Sequence, residues 1–193
     1  MVFSSNQGEV KSVRVYILGI DHEIQVTNGQ RTDEEKLEYG KLVEALLSQY
    51  CVTFIGEETF AEKKAIARVI ADLFKIRWEP IEMSANARTE LGIAEEQAYE
   101  RYEAIWANNL VVGSKGPKRV LSDHIREEYM VWRTLTTAET AESILVLCGF
   151  MHAAELGKLF ERERCDVTVD TLCNYQWYLH PTDCAQLTTF KND

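Results

Sequence analysis

At 193 residues, 46% hydrophobic and 27% charged, the chain has ordinary globular composition and enough length for one sizeable core. A formal charge of -10 is the wrong balance for a phosphate-backbone binder, so nucleic acid is not an expected partner. No apolar run has the length of a membrane span, and the opening MVFSSNQGEVKS has no apolar signal core, so the expectation is a cytoplasmic protein without a membrane partner.

Residues 1–12 are polar and read as a flexible N-terminal segment, leaving 13–193 as a single domain. Val13 to Leu18 is rich in β-branched residues and fits a buried strand. A polar stretch follows, Asp21 to Arg31, with the turn signal Asn28-Gly29. Thr32 and Glu35 have capping-box spacing, and Tyr39, Leu42, Val43, Leu46, Leu47 and Tyr50 then keep helical periodicity. Cys51 to Ile55 reads as a second strand, stopping at Gly56. Thr59 and Glu62 offer another capping box, before a helix whose inner face would be Ile66, Val69, Ile70, Leu73 and Phe74.

Ile76 to Met83 reads as a third strand, which Pro80 confines to an edge. Arg88 to Asn109 has a helical pattern whose acidic residues, Glu95, Glu96, Glu100 and Glu103, fit a solvated face. The SKGPK loop within residues 113–118 lacks phosphate-loop spacing. A further helix spans Ser122 to Thr137. Ile144 to Cys148 is the fourth strand, stopping at Gly149; its helix runs to about Arg164, and Cys165 to Leu172 is the fifth strand. The five cysteines, 51, 148, 165, 173 and 184, are odd in number and show no CxxC spacing. Cys51, Cys148 and Cys165 adjoin or sit in apolar runs and read as buried free thiols, so neither a disulfide framework nor a cysteine zinc site is expected.

Strands alternating with helices imply an α/β fold: a mostly parallel sheet of about five strands with helices on both faces. Residues just after each strand then gather at the carboxyl edge, where open α/β sheets bind ligands. His22, Glu57, Glu58 and His152 all fall there, in GIDH, GEE and CGFMH. His152 would lie in the first turn of a helix, whose positive end disfavours imidazolium, so a neutral ring is expected. Asp21 and Glu23 flank His22 and point away if that segment is extended.

Two histidines with Glu57 or Glu58 could ligate a divalent metal and activate water, or serve without metal as general acid and base. Both readings stand at this level. Arg126, Met130 and Arg133 share one side of their helix, with Ile125, Tyr129 and Trp132 beside them as the apolar side. An arginine there can orient a carboxylate or hold an oxyanion. For Arg133 the expectation is a surface ion pair with Glu127 or Glu128.

Taken together, GIDH at 19–22, GEE at 56–58, IREEYM at 125–130 and CGFMH at 148–152 resemble the superfamily that groups TIKI/TraB-like, erythromycin esterase-like and ChaN-like proteins. The matching positions are Gly19 with His22, Gly56 with Glu57, Arg126 with Met130, and Gly149 with His152. The resemblance implies an α/β fold and a hydrolase-like site of His, Glu and Arg, metal-assisted in some branches and haem-binding in others. The first motif lacks a Gly-Glu before its histidine and the Thr often found after its glycine.

The leading expectation is a hydrolase of an ester, amide or related bond in a small-molecule or peptide substrate. His22 and His152 would be metal ligands or the acid/base pair, Glu57 a ligand or general base with Glu58 as its alternate, and Arg126 the clamp. The alternative is a non-catalytic small-molecule or haem-binding protein, suggested by the ChaN-like relationship and by Tyr175, Trp177, Tyr178 and His180. That aromatic tail also suits a cap on the sheet or a homodimer contact.

Overall fold

The computed structural model describes residues 12–59, 64–90 and 121–178. In chain order these form β1 (Arg14–Ile20), α1 (His22–Gln25), α2 (Asp33–Gln49), β2 (Phe54–Glu57), α3 (Ile66–Phe74), β3 (Arg77–Pro80), α4 (Ala85–Glu90), α5 (Leu121–Thr137), β4 (Ser143–Gly149), α6 (Phe150–Arg162) and β5 (Asp166–Thr171). The five strands make one sheet in the order β3-β2-β4-β1-β5, with every neighbouring pair parallel. The sequences of β1 and β4, RVYILGI and SILVLCG, are near-continuous apolar runs, as strands buried on both faces require.

Side-chain alternation divides that sheet between two cores. Tyr16, Leu18, Ile20, Ile55, Leu145 and Leu147 face Tyr39, Val43 and Leu46 of α2 and Ala67, Ile70 and Ala71 of α3. Val15, Ile17, Phe54, Ile144, Val146 and Cys148 face Met130 and Val131 of α5 and Leu156 and Phe160 of α6. Each fully buried aliphatic side chain contributes about 1.5–3 kcal/mol, so the two clusters dominate stability. The chain leaves β1 and β2 toward the first face and β4 toward the second. The crevices flanking the end of β4 are therefore topological switch points, where such sheets bind ligands.

Several local expectations hold. Thr32 and Glu35 form a reciprocal capping box at the start of α2, and β3 with Pro80 is an edge strand. No helix among the described residues is long and apolar enough to cross a membrane. The N-terminal segment to Lys11, Glu62, the acidic pattern at 95–103, the SKGPK loop, His180 and Cys184 lie outside the described residues.

Other expectations are corrected. Gly19 and Gly56 lie inside their strands, and Gly149 is both the last residue of β4 and the N-cap of α6. His22 lies in a short helix rather than an extended segment, with Asp21 as its N-cap. α3 starts at Ile66 with Ala65 as its N-cap, and it buries Ala67, Ile70 and Ala71 while Val69, Leu73 and Phe74 face solvent. In α5 the buried stripe is Arg126, Met130 and Thr134 with Glu127 and Val131, whereas Trp132 is exposed. The polar residues at the head of the stripe thus face inward. Cys51 is exposed, at a left-handed backbone position with φ 50°. Cys148 and Cys165 are free, and Cys173 is disulfide-bonded.

Candidate active site

The site is built around Glu58, the residue immediately after β2. Along β2 the side chains alternate, so Glu57 points to the α2/α3 face with Ile55 and Glu58 points to the α5/α6 face with Phe54. Glu58 Oε2 accepts the backbone N–H of Gly149 at 2.8 Å, and Oε1 accepts from Arg126 Nη2 at 2.9 Å. His22 Nε2 and His152 Nε2 approach the same Oε1, at 3.7 and 3.5 Å. One histidine arrives from each face of the sheet. Gly149 makes this convergence sterically feasible, since a Cβ there would lie 2.8 Å from His22 Nε2.

A second layer of buried groups holds these side chains. Arg126 Nη2 and Nε donate to the two oxygens of Glu82 at 2.5 and 3.3 Å, and Arg88 Nη2 donates to Glu82 at 3.1 Å. His152 Nδ1 bonds Glu127 Oε1 at 2.7 Å, with Glu127 fully buried. His22 Nδ1 bonds Gln25 Oε1 at 2.6 Å, one helical turn away. Gln25 Nε2 in turn donates to Glu58 O at 3.1 Å and to Glu57 Oε1 at 3.3 Å, while Trp78 Nε1 donates to Glu57 Oε2 at 2.6 Å. Asp21 pairs with Arg31, whose guanidinium also reaches the Tyr178 hydroxyl, and Tyr178 lies against Phe150.

These surroundings set distinct protonation tendencies. Burial raises the Glu58 carboxyl, but the charges of His152, His22 and Arg126 and the Gly149 N–H outweigh it and hold the group below its usual value. Burial likewise disfavours the His152 imidazolium. The hydrogen bond to Glu127 and the charge of Glu58 prevail, so His152 is shifted upward. The expected downward pull on this ring is corrected to an upward shift, with Glu127 and Glu58 outweighing burial and the Arg126 charge. Glu57 behaves oppositely to Glu58. Burial pushes it from 4.5 to about 8, with the Trp78 and Gln25 hydrogen bonds opposing that rise.

The structure thus brings together His22, Glu58, Arg126 and His152, and places Glu57 one layer behind them. Glu57, expected first, and Glu58, expected as its alternate, exchange places because strand parity turns them to opposite faces. Arg126, expected as an oxyanion or carboxylate clamp, donates to Glu58 and Glu82. Arg133 pairs with Glu79 at 3.8 Å rather than with Glu127 or Glu128. Gln25, Trp78, Glu82 and Arg88 were not singled out by the sequence, and Glu127 was named only as a surface ion-pair partner, whereas it is buried against His152. Gln25 carried a faint signal, three residues after His22 in a turn-forming stretch. Glu127 carried another, sharing the α5 stripe with Val131. Glu82 carried none.

Among the described residues, no group of three or more His, Cys, Asp or Glu side chains is placed to hold a metal ion. The donor set explains this: the Glu58 oxygen that both histidines approach already faces the Arg126 guanidinium, which stands where a cation would. Described aromatics of the tail are also committed, Tyr178 as part of the α2/α3-face core and Tyr175 and Trp177 packed against it.

Fold and site together define a doubly wound parallel α/β protein with a carboxylate-linked histidine pair at its switch point. Comparison with protein-family models, with curated proteins and with solved structures finds no match.

Proposed function

We propose that the protein is a hydrolase of ester, amide or related bonds in a small-molecule or peptide substrate, working by metal-independent acid–base catalysis at Glu58, His22 and His152. The observation carrying this reading is the approach of both Nε2 atoms to one Glu58 oxygen. The motif resemblance to the TIKI/TraB-like, erythromycin esterase-like and ChaN-like grouping supports the same reaction class. His22, 55% exposed, is the ring that meets solvent, whereas His152 is 9% exposed and shifted toward its charged form. That division gives one base and one acid.

In this reading a water gives its proton to His22 Nε2 as its oxygen bonds to the carbonyl carbon. The carbonyl π pair moves to oxygen, and the oxyanion is met by the His152 Nε2–H. Collapse breaks the carbon–heteroatom bond, and the leaving group takes the proton from His22. Glu58 faces both Nε2 atoms and stabilises the His152 imidazolium. Arg126 holds Glu58 in place.

The test is turnover of a panel of aryl esters, lactones and amides by the intact protein, with His22→Gln and His152→Gln alongside. Each substitution is expected to lower kcat/KM by about 10²-fold or more, and chelator to leave wild-type turnover unchanged. A wild type inactive across the panel, or variants with wild-type turnover, would overturn the proposal.

A further inference from the structure

We infer that Gln25 is a positioning residue that fixes the tautomer of His22, holding the proton on Nδ1 and leaving the Nε2 lone pair facing the site. The inference deepens the proposed acid–base function and rests on it for its catalytic meaning, though the tautomer itself can be observed without any substrate.

The argument begins with the backbone carbonyl of Glu58. A carbonyl oxygen only accepts hydrogen bonds. It lies 3.1 Å from one end of the Gln25 amide, so that end is the NH2. A carboxyl oxygen of Glu57, 3.3 Å away, meets the same NH2 and acts as its second acceptor. Exchanging the amide's O and N would set oxygen against the Glu58 carbonyl. With the NH2 so committed, the amide oxygen faces His22 Nδ1 at 2.6 Å. Only a protonated Nδ1 makes a hydrogen bond there, so neutral His22 is the Nδ1–H form.

Gln25 is 1% exposed, so water does not compete for either end of the amide. Its anchors are on a different element: Glu57 ends β2, and Trp78 on β3 fixes the far oxygen of Glu57 at 2.6 Å. The chain Trp78, Glu57, Gln25, His22 therefore carries the sheet's orientation into an otherwise exposed imidazole. This assigns Glu57 a positioning part, distinct from the base it resembled in sequence. Free imidazole side chains favour the other tautomer, so the environment selects the form that a base at Nε2 needs.

The experiment is a long-range proton–nitrogen NMR spectrum of the intact protein labelled at histidine nitrogens. It is recorded near pH 8.5, above the ordinary imidazole range of about 6.5. The signals lost in His22→Gln identify His22 among the four histidines. The expected wild-type result is a protonated Nδ1 and a bare Nε2 for His22; an Nε2–H form would overturn the inference. Gln25→Leu is expected to shift His22 toward the Nε2–H form and to lower kcat by about tenfold or more with KM nearly unchanged. An unchanged His22 tautomer in that variant would equally overturn it. Should Gln25→Leu not fold, the wild-type spectrum still decides. Should no substrate be turned over, the proposed function fails while the tautomer result stands alone.

Discussion

Glu57→Gln should remove a pH-dependent cost built into the core. Glu57 is fully buried, and its carboxyl is pushed from 4.5 to about 8 by that burial. Between those two values the folded protein keeps a proton that the unfolded chain has released. Stability therefore falls as pH rises through this window, and is flat below and above it. At about 1.4 kcal/mol per pH unit the whole window amounts to something on the order of 5 kcal/mol. Gln keeps the size of the side chain and an acceptor for the Trp78 N–H, but it does not titrate. The wild type and Glu57→Gln should be compared by urea unfolding, followed by circular dichroism, from about pH 4.5 to about pH 8.5. The variant should gain on the wild type steadily as pH rises, and the difference should level off above about pH 8. Curves that stay parallel within about 0.5 kcal/mol would show that Glu57 is ionised at neutral pH and refute the reasoning.

Further outcomes follow from single contacts. Gly149→Ala should cost less than about 1.5 kcal/mol in urea unfolding, because Gly149 has an ordinary φ of -56° and its new methyl meets the far end of exposed His22. The same variant should lose most hydrolytic activity, since the His22 ring must move off Glu58. Glu127→Gln should lower the titration midpoint of His152 in an NMR titration, because the Glu127 hydrogen bond is the largest influence raising it. The stabilisation linked to that raised value is full below the ordinary histidine range and is lost as pH rises through the folded value. The stability gap between wild type and Glu127→Gln should accordingly narrow toward alkaline pH. Tyr39→Phe should raise the unfolding free energy by about 1 kcal/mol, because the Tyr39 hydroxyl is buried without a hydrogen-bond partner among the described residues. A thermal melt is sufficient to check it.

Much of the architecture could be read from sequence because it rests on local patterns. ILVLC and VYIL are apolar runs that only strands buried on both faces explain, and the alternation with helical periods implied the parallel sheet. The carboxyl-edge location of His22 and His152 followed from chain order, whereas the strand order that makes it a switch point did not. Which of Glu57 and Glu58 enters the site was not legible. Both faces of β2 are buried, so its sequence carries no polar-out rhythm to reveal parity. The inner face of α5 was misassigned for a related reason: Arg126 and Glu127 are buried charges, and a periodicity argument places charges outside. Their partners, Glu82 and His152, are distant in sequence. Gln25 was overlooked because a lone glutamine has no pattern, and its meaning comes from the carbonyl and carboxyl that sandwich its amide.

The account stands most directly on Glu58. The decisive measurement is kcat/KM of Glu58→Gln on the ester that the wild type hydrolyses fastest, with urea unfolding to confirm the variant is folded. Glutamine retains the shape and an acceptor for the Gly149 N–H but removes the charge shared by the two histidines. A fall of about 10²–10⁴-fold is predicted. A folded variant within threefold, roughly 0.7 kcal/mol, of wild-type kcat/KM would contradict the claim that this carboxylate organises the site.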